Sequence, residues 1–142
     1  SNNGILIHGG GWKKMQDQAV NRDFFNKKIT DTIGINKIHN YYGMVEQTGS
    51  VFLECEFGFF HTSIFSDVII RDVNLKISPI KKDGLLQVFS LLPLSYPGHN
   101  ILTEDIGSLQ GEDNCKCGRK GKYFSIKGRV KGTEIRGCSD TH

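Results

Sequence analysis

Apolar positions between residues 4 and 42 change their spacing twice, and each change marks an element. Ile5 to Ile7 form a short apolar run that ends in His8-Gly9-Gly10-Gly11-Trp12, which reads as a strand followed by a glycine-rich turn. Phe24, Phe25, Ile29 and Ile33 then recur at the spacing of one helical face, with Asn21 placed to cap its start and Gly34 to end it. From Ile35 to Tyr42 the pattern returns to that of a strand, so residues 4–42 predict one strand-helix-strand unit of a parallel sheet.

After Ser50 the chain reads as all-β. Apolar runs at Val51 to Phe57, Ser63 to Asp72, Leu85 to Leu92, Ile101 to Gln110 and Tyr123 to Arg129 predict strands, separated by turn signals such as Lys82-Asp83-Gly84 and Tyr96-Pro97-Gly98. Phe65, Val68 and Ile70 with Leu85, Val88 and Leu91 are the expected core. The expected fold is therefore α/β (α+β): a strand-helix-strand unit over 3–50, then an antiparallel β-subdomain or partly closed barrel over 51–142. At 142 residues this makes a single domain.

Chemistry concentrates in Asn40 to Ser50, NYYGMVEQTGS, at the end of the second predicted strand. In open α/β sheets, ligands bind at the carboxyl ends of strands. Tyr42 could offer a flat face to a base, Gly43 lets a ligand approach the backbone, and Glu46 could hold Mg²⁺ beside phosphates. The alternative is a tight turn with a surface glutamate.

Net charge is a mild +3, but residues 111–142 hold eight Lys/Arg against four acids, which suits an anionic partner. Tyr123 and Phe124 are the only aromatics in that segment, too few for a nucleic-acid stacking surface, so nucleic acid is not the expected partner. There is no signal peptide or membrane-length apolar run, and the expected setting is cytoplasmic. Cys115 and Cys117 are badly spaced for a mutual disulfide. Together with the Cys55-x₅-His61 pair they make a candidate four-ligand zinc site; ordinary buried thiols are the alternative.

The order HGGGW, NYYGMVEQTG, LTED, GRVKGTEIRG resembles the adenylate-forming acyl ligases, and most closely the LuxE-type acyl-protein synthetases. The resemblance covers nearly the whole chain. It implies that Gly9 and Gly10 line the adenine and acyl pocket and that Tyr42-Gly43 with Glu46 form the aromatic-glycine-glutamate motif, in which Tyr42 packs on adenine and Glu46 meets Mg²⁺. It further implies that Asp105 binds the ribose hydroxyls, that Arg129 opens the last motif, and that Lys131 lies at a hinge. Cys138, in Arg136-Gly137-Cys138-Ser139, matches the cysteine that accepts the acyl group, with Arg136 favouring its thiolate. Where many members carry threonine before the glutamate this chain has Val45, leaving Gln47 or Thr48 as the phosphate contact. The cysteine pattern, Glu54-Cys55-Glu56, His61 and Cys115-Lys116-Cys117-Gly118, resembles that of the phenylacetate–coenzyme A ligase branch.

The resemblance thus implies an ATP-dependent ligase, with Cys138, Glu46 and Lys131 as catalytic candidates, ATP/AMP and Mg²⁺ as cofactors and a structural Zn²⁺. Fatty acid is the implied substrate and an acyl reductase or another protein the acceptor. The family's Ser/Thr/Gly-rich phosphate loop has no counterpart here, so the chain reads as the C-terminal portion of a longer enzyme, inactive alone. Two rival readings stand beside it: a coenzyme A ligase of the phenylacetate type, and a non-catalytic zinc-stabilised module binding nucleotides or RNA.

Overall fold

The computed structural model describes residues 4–11, 17–94 and 97–130. Three elements confirm the opening unit: β1 (Ile5–Gly9), α1 (Arg22–Ile33) and β2 (Lys37–Tyr42), with β1 and β2 parallel and Gly9 opposite Tyr41. The helix begins and ends at the predicted caps. Asn21 accepts a hydrogen bond from the Phe24 N–H at 2.8 Å, satisfying an amide that the first turn would leave unpaired. Gly34 takes the left-handed conformation at φ 73° and returns its N–H to the Thr30 carbonyl, a stop that any side chain would strain.

Strand β3 (Phe52–Leu53) pairs antiparallel with β2, giving a three-stranded mixed sheet in the order β1-β2-β3. The five remaining strands form an open antiparallel sheet in the order β4-β8-β7-β6-β5. They are β4 (Phe60–His61), β5 (Ser66–Arg71), β6 (Gly84–Ser90), β7 (Asn100–Glu112) and β8 (Lys122–Arg129). The run expected as one strand over Val51 to Phe57 instead stops at Leu53. Cys55 donates its N–H to the Phe59 carbonyl and accepts from the Gly58 N–H, so the chain folds back through a tight turn and delivers β4 beside β8.

The core is built from Phe52, Phe60, Val68, Ile70, Leu86, Val88 and Phe124, with Tyr42, Met44, Ile101, Leu109 and Ile126 packed on its margin. Phe124 has edge-on contact with Phe52 (ring centroids 5.4 Å apart) and tilted contact with Phe60 at 5.8 Å. Three expected core residues lie elsewhere: Phe65 is 48% exposed, Leu91 is 76% exposed, and Leu85 is only partly covered while its neighbour Leu86 is fully buried. The reason is parity. A strand sends alternate residues to opposite faces, so the inward set of β6 is Leu86, Val88 and Ser90. Spacing of three, as in Leu85-Val88-Leu91, cannot share one face. In α1, likewise, no residue is fully buried among the described residues; Phe25 and Ile29 are half-covered while Phe24 and Ile33 stand exposed.

The two leucines give a direct measurement. Leu86→Ala should cost about 3 kcal/mol in urea unfolding, through lost burial plus the cavity left behind, and Leu85→Ala about 1 kcal/mol. Equal losses would contradict the assignment of faces.

Candidate functional site

Because β1 and β2 are parallel and in register, their carboxyl ends place the glycine-rich turn and the Tyr42-Gly43 turn side by side. Gly9 has no room for a side chain: a Cβ there would stand 2.4 Å from the Tyr41 ring. Gly10 lies next to it at φ 86° with open space where its Cβ would be, so the backbone of this turn is accessible from that side. His8 packs its ring on Phe25 at 4.8 Å, and burial lowers its pKa.

Residues 45–47 form one 3-10 turn after β2, leaving the Glu46 side chain exposed and burying Gln47. Gln47 donates its amide to the carbonyls of Val88 (3.2 Å) and Gly98 (2.7 Å). Ser50 donates to the hydroxyl of Ser90. The turn that carries Glu46 is thereby stitched to the end of β6. With its amide committed inward, Gln47 does not face a ligand at this turn, and Thr48, exposed with its hydroxyl on the Val45 carbonyl at 2.9 Å, is the remaining hydroxyl candidate.

Asp105 approaches the end of β2 from β7 in the second sheet. The Tyr42 hydroxyl donates to Asp105 Oδ2 at 2.7 Å, and Arg129, the cross-strand partner of Asp105 on β8, brings Nε to 3.4 Å from Oδ1. Burial first, then the Asp105 carboxylate, raises the Tyr42 pKa far above that of a free phenol, so the hydroxyl keeps its proton. Three residues singled out along the sequence, 63 and then 24 positions apart, thus meet at one point. Lys131 and Cys138 lie outside the described residues.

A second cluster lies at the other end of the sheet. Cys55 in the turn before β4, His61 on β4, and Cys115 and Cys117 in the β7–β8 connection bring their ligand atoms within 4.8 Å of one another. Cys117 Sγ is 3.4 Å from both His61 Nε2 and Cys115 Sγ. A tetrahedral ion with bonds of about 2.0–2.3 Å needs ligand atoms roughly 3.5–3.8 Å apart, which these positions approach. Cys55, His61 and Cys115 are buried. Burial and the neighbouring thiols push the Cys115 thiol up to about 11, and burial, then Arg119, lowers the pKa of His61. A neutral imidazole suits a ligand; the thiols need a cation to make their deprotonation favourable. Among the described residues His61 Nδ1 is a buried nitrogen without a hydrogen-bond partner, and the other ring nitrogen, Nε2, faces the Cys117 thiol. The cluster can hold a metal ion.

The turn bearing Cys55 is anchored from α1. Arg22 Nε stands 3.1 Å from Glu54 Oε1, an electrostatic contact rather than an aligned hydrogen bond, while Arg22 Nη2 donates to the Glu56 carbonyl at 3.0 Å. Glu54 Oε2 also accepts from the Asn40 N–H. No feature of the sequence alone pairs Arg22 with Glu54, because the partners come from different elements.

The profile of the family described as "Acyl-protein synthetase, LuxE" matches residues 1–142. The chain belongs to this family. Among LuxE relatives, it is 30% identical over 140 residues to the long-chain-fatty-acid–luciferin-component ligase of Vibrio harveyi, covering 94% of this chain and 35% of that protein. It is 30% identical over 106 residues to the ligase of the same name from Aliivibrio fischeri, covering 72% and 28%. The chain therefore spans about a third of the length of these curated relatives. Its fold is similar to part of several solved structures: apo MatB from Rhodopseudomonas palustris superposes with a TM-score of 0.58 at 16% identity, over 89% of this chain and 26% of MatB. The luciferase-like enzyme of the mealworm Zophobas morio gives 0.59 at 17%, over 89% and 32%. No helix among the described residues is long and apolar enough to cross a membrane.

Proposed function

We propose that this LuxE-family chain contributes the nucleotide-binding and acyl-accepting parts of an ATP-dependent acyl-protein synthetase. In the first step a fatty-acid carboxylate oxygen attacks the α-phosphorus of ATP, forming acyl-AMP and releasing pyrophosphate. In the second the Cys138 thiolate attacks the acyl carbon, forming a thioester and releasing AMP. Gly9 and Gly10 border the adenine and acyl groups, Tyr42 and Gly43 pack against adenine, Asp105 accepts from the ribose hydroxyls, and Arg129 flanks Asp105. Mg²⁺ neutralises phosphate charge, and the exposed Glu46 carboxylate is the residue that would hold it. Lys131 matches the position of the hinge that precedes a C-terminal lid in longer relatives, and a protein such as an acyl reductase receives the acyl group. The four-ligand cluster holds Zn²⁺ in a structural role, since four protein ligands leave no open position for water or substrate.

The observation that carries this reading is the meeting of Tyr42, Asp105 and Arg129, each from a different strand, beside the turn that bears Glu46. A carboxylate accepting from two ribose hydroxyls makes charge-assisted bonds, the strong kind. Fatty-acid-dependent ATP–pyrophosphate exchange by the full-length protein tests it. Asp105→Ala should lower that exchange by about tenfold or more. Unchanged exchange would remove Asp105 from the nucleotide site, and no exchange by the unaltered protein would overturn the first step.

A further inference from the structure

The Tyr42 hydroxyl makes the shortest polar contact to Asp105, and the ring that carries it is fixed. Tyr42 packs on Phe52 with centroids 6.0 Å apart and on Phe60 at 6.4 Å, both members of the core. Its oxygen therefore has little freedom, and the 2.7 Å bond to Oδ2 fixes the torsion of a carboxylate whose side chain is only 17% exposed. Arg129 is the weaker constraint. It is 45% exposed, its Nε lies 3.4 Å from Oδ1, and its Nη2 is also 3.9 Å from Glu104.

Counting acceptors sharpens the point. A carboxylate offers about four lone-pair sites, two on each oxygen. Among the described residues Tyr42 uses one on Oδ2 and Arg129 faces one on Oδ1, which leaves one acceptor on each oxygen. Two acceptors held in one plane match the two donors of a vicinal diol. If the carboxylate could rotate, that match would be lost for part of the time, and binding would bear the cost of restoring it.

We infer that Tyr42 has a second role besides its ring: its hydroxyl is a positioning group that sets Asp105 to accept both hydroxyls of a nucleotide ribose. This rests on the proposed nucleotide site and adds to it the source of diol selectivity. The raised pKa agrees, because a phenol that never ionises in the working range donates to the carboxylate throughout.

The experiment compares AMP with 2′,3′-dideoxyadenosine 5′-monophosphate by calorimetric titration of the full-length protein and its Tyr42→Phe and Asp105→Ala variants. Phenylalanine keeps the ring and its contacts with Phe52 and Phe60, and only the hydroxyl is lost. Tyr42→Phe should weaken AMP by about five- to tenfold while leaving the dideoxy nucleotide within about twofold. Asp105→Ala should abolish the preference for AMP. Equal weakening of both nucleotides by Tyr42→Phe, or no change in either, would overturn the positioning role. A preference for AMP that survives Asp105→Ala would instead overturn the ribose assignment itself.

Discussion

Protein purified without chelator should carry one zinc ion per chain, and the Cys115→Ser, Cys117→Ser double variant should carry none. The expectation follows from four ligand atoms within 4.8 Å, three of them on buried residues, contributed by the turn before β4, by β4 itself and by the β7–β8 connection. Without a cation, a thiol pushed up to about 11 and an imidazole with one unpaired buried nitrogen would have only one another and the Cys55 and Cys117 thiols as partners. With one, the thiols ionise and the cluster joins the β3–β4 turn to the β7–β8 connection. Metal binding to such a site is coupled to folding. Its loss should cost about 3 kcal/mol or more and lower the melting temperature by roughly 10 °C. Chelation of the unaltered protein should produce the same shift, which separates loss of the ion from any cost of the substitutions. Elemental analysis decides the matter: absence of stoichiometric metal, or metal retained by the double variant, would refute the site.

Labelled fatty acid with ATP should give the full-length protein a hydroxylamine-sensitive adduct, and Cys138→Ala or Cys138→Ser should abolish it. A thioester is cleaved by hydroxylamine under conditions that spare amides, and serine would give at most a slow oxygen ester because its hydroxyl lacks a thiolate's nucleophilicity. ATP–pyrophosphate exchange should persist in both variants, because the cysteine acts after acyl-AMP has formed. Label retained in both would place the acyl group on another residue. Loss of label together with loss of exchange would mean that Cys138 is needed for the first step and is not simply its acceptor.

Local chemistry made part of this architecture readable from residues alone. Asn21 and Gly34 bound α1 because capping depends on the residues at the helix ends, and the strand-helix-strand order follows from short-range periodicity. The Cys55, His61, Cys115, Cys117 set was also legible, since ligand type and spacing are local; their convergence was not, because it depends on β4 lying against β8. Misreadings arose where tertiary context decides. Leu85 and Leu91 are as hydrophobic as Leu86, and only strand parity separates them. Val51 to Phe57 has the composition of one strand, yet Gly58 allows a turn at φ 80° and the segment divides. Gln47 gave no sign of being buried, and the hydroxyl of Tyr42 had no visible partner, because Asp105 reaches it from another sheet.

The length of β7 gives the metal cluster a bearing on the nucleotide site that reaches beyond stability. Asp105 and Glu112 sit on the same strand, about 23 Å apart at the usual rise, and Cys115 follows three residues later. Strand β8 returns from the cysteine turn to place Arg129 opposite Asp105. Pairing shifts register at Ile106/Gly107 and Leu109/Gly111, so the match of Arg129 to Asp105 depends on the count of residues from the turn. An ion held by Cys115 and Cys117 at the closed end, by His61 on β4 and by Cys55 in the turn before it would work as an index mark for the ribbon. It would help to fix which residue of β8 arrives at Asp105. A slip of one position would turn Arg129 to the opposite face, so an ion bound at the far end of β7 would bear on whether the Asp105 carboxylate meets its cation.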